Sequence, residues 1–264
     1  MYTPIQIPNV LNDVFIEHFI YKETYLPELE SFIVCMWEVY GRKTDSEITV
    51  MNMIIPDGCI DLVVSYTQRI VGFSGMSVTD ATFEDSTSNQ SFGFRLRPGA
   101  VHALFGLNAE MAMDNFVDAL AYLPIEDDFF DLGFQEAQHY LISRLKDRVA
   151  AKSVSTTMLL FETLNTDEKL VTPEIIANSM GYSVKQANRI FKRNFGLSMK
   201  QVLSVQRFQK AIHLLLKDNH ASLHDLALRS GYYDQSHFNR DIKLNIGVSP
   251  IEVLQKYKDV QNIQ

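Results

Sequence analysis

The feature that most constrains this chain is an internal repeat in its last hundred residues. One copy reads Ile176-Ala177, Gly181-Tyr182-Ser183, Arg189, Phe191-Lys192, Gly196 and Ser198. The other reads Leu226-Ala227, Gly231-Tyr232-Tyr233, Arg240, Ile242-Lys243, Gly247 and Ser249. Ala to Gly is four positions in both copies, Arg to Gly seven, and Gly to Ser two. The second copy carries one extra residue between its Gly-Tyr pair and its Arg. Matched offsets of this kind describe one supersecondary unit made twice.

Each copy holds the parts of two helices joined by a tight turn. Thr172 caps the first helix of copy one, and Pro173 fits its first position, where a missing N–H costs nothing. Ser222-Leu-His-Asp225 has the pattern of a capping box. Ala177 and Ala227 allow close helix approach, Gly181 and Gly231 supply a turn with positive φ, and Tyr182 and Tyr232 are expected to plug the gap between helices. The second helix then presents Lys185, Gln186, Asn188, Arg189 and Lys192 in copy one. Copy two presents Gln235, Ser236, His237, Asn239, Arg240 and Lys243. These side chains reach base edges and phosphates from a helix lying in the major groove. Between the copies, Ser198 can cap a helix running to about Lys217. A helix of about 20 residues spans about 30 Å. Two such reading helices need a separation of about 34 Å to enter successive grooves.

The charge distribution agrees. The chain has 264 residues and a net charge of −8. Residues 171–264 carry 13 Lys/Arg against 7 Asp/Glu, and residues 1–170 carry 11 against 25. A basic end on an acidic chain is what a polyanion-binding domain joined to another domain looks like.

Residues from about 168 to 258 resemble the DNA-binding domain of AraC/XylS transcriptional regulators. The resemblance rests on Gly231-Tyr-Tyr-Asp-Gln-Ser-His-Phe-Asn-Arg240 with Lys243, Gly247 and Ser249-Pro250, and on Arg207-Phe-Gln-Lys-Ala211-Ile-His-Leu214-Leu215 upstream. It implies two helix-turn-helix units on a connecting helix, double-stranded DNA as partner, activation or sometimes repression of promoters, and contact with RNA polymerase. Three positions depart from the family pattern. Ala187 replaces a bulky aliphatic, Ile242 replaces Phe, and Asp241 puts a negative charge beside Arg240.

The N-terminal half reads differently. Strand patterns cover Phe32 to Tyr40, Ile48 to Ile55, and Ile60 to Tyr66, the last entered through the turn Pro56-Asp-Gly58. Phe92, Phe94 and Leu96 alternate with Gly93, Arg95 and Arg97, the period of a half-buried strand. Asp85 to Gln90 reads as a polar loop. Helices are expected over Gly99 to Gly106, Asn108 to Tyr122, Asp131 to Val149 and Ser153 to Leu164. The overall class is therefore α+β: a β-rich domain over residues 1–150 with flanking helices, a linking region at 151–167, and an all-α domain at 168–264. Pro56 to Val63 and Phe92 to Gly99 resemble the N-terminal domain of some regulators in the same family, which implies effector binding or dimerisation. Asp57, Asp61, Arg95, Arg97 and His102 are the candidate contacts for a small-molecule effector. A structural carboxylate–arginine network is the plainer reading of the same charges, and a core or interface role the plainer one for His102.

Other classes find little support. His18, His102 and His139 form no metal-binding pair, Gly72-Phe-Ser74-Gly75 misses the nucleophile-elbow spacing, and no Gly-Lys phosphate loop occurs. No catalytic residue, metal or cofactor is expected. Cys35 and Cys59 are the only cysteines and read as buried thiols. The opening residues lack a basic segment followed by an apolar run, and no uncharged stretch approaches about 18 apolar residues, so a cytoplasmic protein without membrane contact is expected. A regulator without effector, whose N-terminal half dimerises or binds another protein, fits nearly as well as a sensor. A homodimer is compatible with both readings. An enzyme joined to a DNA-binding domain is the remote third.

Overall fold

The computed structural model describes residues 2–7, 11–75, 81–126, 128–166, 171–218 and 221–261. Its N-terminal half is built on strands. β1 (Phe19–Thr24), β2 (Ile33–Gly41), β4 (Ile60–Ser65), β5 (Ile70–Gly75), β7 (Gln90–Leu96) and β8 (Phe116–Asp118) form a six-stranded sheet in the order β1-β2-β7-β4-β5-β8. All its pairings are antiparallel. β3 (Thr49–Ile54) and β6 (Ala81–Ser86) pair separately.

The alternation read from β7 holds and divides the two faces of the large sheet. Phe92, Phe94 and Leu96 are fully buried with Leu62, Val64 and Phe73 in the main core. Gly93 and Arg95 face the other way, towards β3 and β6. Helix α1 (Asp13–His18) precedes β1, and α2 (Ala100–Phe105) follows β7 between two left-handed glycines. Helix α3 (Phe134–Ala150) closes the main core with Ala137, Leu141 and Leu145.

The helix expected over Asn108 to Tyr122 does not form. Asn108 does cap, but only a 3-10 turn at Ala109–Ala112. Asp114 then takes a positive φ of 51°, which ends any helix, and Phe116–Asp118 pairs with β5 as β8. The polar loop expected from Asp85 is shorter than read. Asp85 and Ser86 belong to β6, opposite Val50 and Thr49.

The C-terminal half is helical. α4 (Thr156–Thr166) leads to α5 (Pro173–Ser179), α6 (Val184–Phe195), α7 (Met199–Lys217), α8 (Leu223–Arg229), α9 (Gln235–Ile246) and α10 (Pro250–Gln261). Much of the linker-like run Asn165 to Lys169 lies outside the described residues. Among those residues no helix is long and apolar enough to cross a membrane. α4 is not detached from the helices after it. Its Phe161 stacks edge-on against Tyr2 and lies 5.3 Å from the Phe195 ring, in one cluster with Ile176, Ala187 and Phe191.

Candidate nucleic-acid interface and ligand cavity

The first helix-turn-helix unit is α5 and α6. Thr172 accepts from the Ile175 N–H and Pro173 occupies the first turn, as the sequence requires. Gly181 turns the chain with φ +71°, and Ser183 opens α6 by a reciprocal capping box with Gln186. The second unit, α8 and α9, repeats the design. Ser222 caps α8, Gly231 turns at φ +88°, and Asp234 caps α9. The backbone bonds match: Tyr182 N–H donates to Ala177 O at 3.0 Å, and Tyr232 N–H to Ala227 O at 2.9 Å.

The extra residue of the second copy is placed by this match. It is Tyr233, which stands between the turn and the Asp234 cap and is 88% exposed. The two preceding tyrosines diverge. Tyr232 is buried, donates its hydroxyl to Asp241, and lies under the Arg207 guanidinium 4.9 Å away. Tyr182 is 46% exposed, so it does not plug the first unit as expected. The core of that unit is filled by Phe161 and Tyr2 from outside the repeat. Asp241 does not oppose Arg240 as its position suggested, because its carboxylate accepts from Tyr232 and Asn245.

The outward face of α6 carries Lys185, Gln186, Arg189, Lys192 and Arg193. That of α9 carries Ser236, His237, Arg240 and Lys243. Among the described residues, Lys185, Arg189 and Arg240 have no ion-pair partner. Gln186 is spent partly on the cap of Ser183, and Gln235 is half-buried. Asn188 and Asn239 are half-buried on the inner side. Lys192 reaches the N-terminal half, with Nζ 2.6 Å from Glu110 Oε1. Beside it Gly196 packs against Met113 and Ala109, so the first unit is docked on the N-terminal half. Sequence reading had not singled out Arg193 or Tyr233. Arg193 lies one turn on from Arg189, which was the available signal.

The second site is a cavity of about 280 Å³ between the large sheet and the β3–β6 pair. Arg95 is part of its lining. The register places Cys35 of β2 on one side of Arg95 and Asp61 of β4 on the other. Arg95 Nη1 donates to Glu23 Oε1 at 2.8 Å and Nη2 to the Tyr21 hydroxyl at 3.3 Å. Its Nε lies 3.7 Å from both Asp57 and Asp61. Gly93 leaves room for the Trp37 indole, which a Cβ there would strike. Trp37 Nε1 in turn donates to Asp61 Oδ2 at 3.2 Å. Burial raises the Asp61 carboxyl to about 6 despite Arg95, and burial likewise raises Asp85 to about 6. Burial also pushes the Cys35 thiol up to about 12, and the Cys59 thiol up as well, so neither is a ready nucleophile.

Asp57, Asp61 and Arg95 thus come together in this cavity, whereas Arg97 and His102 lie elsewhere. Arg97 donates to Glu30 O and Tyr2 O and faces Glu162 of α4, tying three segments together. His102 Nδ1 is 3.0 Å from Leu107 O at the end of α2. Arg95 closes the last position of β7 but one, and Arg97 follows the strand, so the shared parity of the two did not keep them in one site. Trp37 and Asp85 were not read from sequence as cavity residues. Trp37 was discoverable by its parity with Cys35 and Val39, but Asp85 was hidden by its assignment to a loop.

The C-terminal half is thus built as two helix-turn-helix units on one connecting helix, each with a polar outward face. A family model described as a helix-turn-helix domain matches residues 176–256, and one described as a domain of unknown function (DUF6597) matches residues 25–118. The HTH-type transcriptional activator RhaS of Escherichia coli strain K12 is 30% identical over 82 residues, 31% of this chain and 29% of the relative. The chain therefore matches under a third of that relative's length. Among solved structures, the C-terminal domain of AraT, a response regulator from Geobacillus stearothermophilus, is 28% identical with TM-score 0.34, covering 36% of this chain and 79% of that one. ToxT from Vibrio cholerae covers 90% of this chain and 98% of its own, at 10% identity and TM-score 0.40. The matched stretch, residues 176–256, spans α5 to α10 and so takes in both helix-turn-helix units.

Proposed function

We propose that the protein is a sequence-specific transcriptional regulator that reads two successive major grooves of double-stranded DNA with α6 and α9, and senses a small molecule through its N-terminal half. One observation carries the reading. The exposed polar faces of two equivalent helices are held on a single connecting helix of 19 residues. At 1.5 Å per residue that helix is about 28 Å long, close to the separation of about 34 Å between successive grooves. Arg189 and Arg240 are the base-reading candidates, with Lys185, Lys192 and Lys243 towards phosphates. The regulator acts in the cytoplasm, activates promoters through contact with RNA polymerase, and performs no catalysis of its own.

The test is selection of bound sequences from random DNA by the full chain at stated salt. One motif with two contact blocks about one helical turn apart is the expected result. Binding without sequence preference overturns the reading. A selected motif that occurs as a repeat of the two-block site marks a homodimer on DNA.

A further inference from the structure

The cavity in the N-terminal half has a chemistry that selects one class of ligand. At about 280 Å³ it lies at the small end of ligand-binding cavities. Its charged lining among the described residues is Asp57, Asp61, Glu84 and Asp85 against a single cation, Arg95. Glu23 approaches the same guanidinium from β1. Arg95 therefore has a surplus of carboxylates around it and no donor nitrogen left without an acceptor nearby. An incoming anion would meet that surplus and would have to displace one of its members.

The carboxylates are less well served. Asp57 accepts from Gln6 Nε2 at 2.7 Å and from the Cys59 N–H at 2.8 Å. Asp61 gives one oxygen to Trp37, while its Oδ1 is buried and accepts no hydrogen bond. Asp85 accepts from Asn52 Nδ2 at 2.8 Å. Asp61 Oδ1 has only the Arg95 Nε 3.7 Å away, so the Asp61 carboxylate as a whole is short of donors. The remaining wall is aromatic, with Trp37, Phe83 and Phe116.

We propose that the cavity binds a small organic amine in its ammonium form, with the nitrogen at the Asp61 carboxylate and the apolar body against Trp37, Phe83 and Phe116. This rests on the reading of the N-terminal half as a sensor. An ammonium brings three donors and no acceptor, which matches a site short of donors. It offsets the excess negative charge, and beside the Trp37 indole it gains a cation–π contact. A neutral polyol would supply donors but leave the charge excess in place. Asp61 faces Arg95 on β7, Asp57 and Cys59 in the turn before β4, Glu23 on β1, Cys35 and Trp37 on β2, and Ser74 on β5. Asp61 and, elsewhere in the lining, Asp85 both titrate near 6, and Asp61 must be ionised to hold an ammonium. Amine binding accordingly strengthens as pH rises through that value.

The experiment is thermal unfolding of the full chain with three isosteric panels at about 10 mM: benzylamine, phenethylamine and cyclohexylamine, the matching alcohols, and the matching carboxylates. Ligand binding to the folded state alone should raise Tm by about 2 °C or more for the amines. That shift should be larger at pH 7.5 than at pH 5.5, and absent in Asp61→Asn. Should that variant fail to fold, Asp85→Asn is expected to weaken the shift instead. Stabilisation by the alcohols or carboxylates in preference to the amines overturns the amine assignment and leaves the sensor reading standing. A lack of any shift across all three panels overturns both, while the DNA-binding reading, tested separately by sequence selection, is untouched.

Discussion

Asn188 Oδ1 accepts a hydrogen bond from the Met199 N–H at 3.0 Å, and the equivalent bond in the second unit cannot form. Asn239 stands where Asn188 does, one residue before the arginine of its copy. The residue eleven positions on is Pro250, which has no N–H. Asn239 Oδ1 is accordingly buried without a partner. In the first unit the bond ties α6 to the start of the connecting helix α7. In the second the tie between α9 and α10 is missing.

This asymmetry sets the cost of removing each side chain. Asn188→Ala leaves the Met199 N–H without its acceptor and should cost about 1–2 kcal/mol. Asn239→Ala removes an already unsatisfied oxygen and should cost less than about half of that. Equilibrium urea unfolding of the two variants decides the matter. Equal losses would show that the orphaned oxygen contributes as much as the paired one.

The same comparison shows what sequence could and could not reveal. Equivalence of the two units was legible because caps, turn glycines and small contact residues are local requirements, repeated at fixed offsets. Strands β2, β3 and β4 were legible as aromatic and β-branched runs, and β7 from its alternation. The helix expected after Asn108 failed because a single positive φ at Asp114 overrode an apolar periodicity that suits a helix and a short edge strand alike. The cavity was half legible. Asp57, Asp61 and Arg95 were named, but the placement of Trp37 depends on the space left by Gly93 across the sheet, a long-range fact. Tyr182 and Tyr232 match in sequence and differ in burial, and the core of the first unit takes Tyr2 and Phe161 from outside the repeat, which no local pattern announces.

Asp85 makes stability depend on pH in a defined direction. Its carboxyl is raised from 3.8 to about 6 by burial, with the Asn52 hydrogen bond opposing. The folded state therefore holds this proton more tightly than the unfolded chain. The resulting stabilisation is complete below about pH 4 and is lost as pH rises through about 6. At neutral pH the ionised group is a liability of at most about 3 kcal/mol, less where solvent reaches it. Asp85→Asn should raise Tm at pH 7.5 and change it little at pH 4.5, since an amide can still accept from Asn52. A variant less stable than the parent at pH 7.5 would contradict this account.

Gly196 and Gly247 end α6 and α9 in the same left-handed conformation, with φ +77° and +84°. Alanine at either position should cost about 1 kcal/mol for the backbone alone. At Gly196 a Cβ also lies 3.0 Å from Ala109 O and within van der Waals overlap of the Met113 side chain. At Gly247 the nearest neighbour is the Met53 methyl at 3.8 Å. Gly196→Ala should thus be the more destabilising of the pair. Its excess should appear as faster proteolysis around residues 109–113, where the first unit rests on the N-terminal half. Equal effects would mean that this contact contributes nothing.

On the proposed function, base reading and phosphate contact should separate on α6 and α9. Arg189 and Arg240 project without carboxylate partners, so replacing either by Ala should leave the fold intact. Each replacement should cost about 1–3 kcal/mol on the selected site and relax preference at one block of the motif. Lys192 differs, because its ammonium is paired with Glu110 at the surface, where such a pair is worth little. A phosphate competing for Lys192 would release Glu110. Lys192→Ala should then weaken all sequences nearly alike and lower the salt slope by about 1, whereas Glu110→Gln should strengthen binding by removing the competitor. Fluorescence anisotropy on matched and mismatched duplexes across a salt series reads all four variants. Unchanged specificity in both arginine variants would remove α6 and α9 as the reading helices. An unchanged salt slope in Lys192→Ala would leave Lys192 to its pair with Glu110.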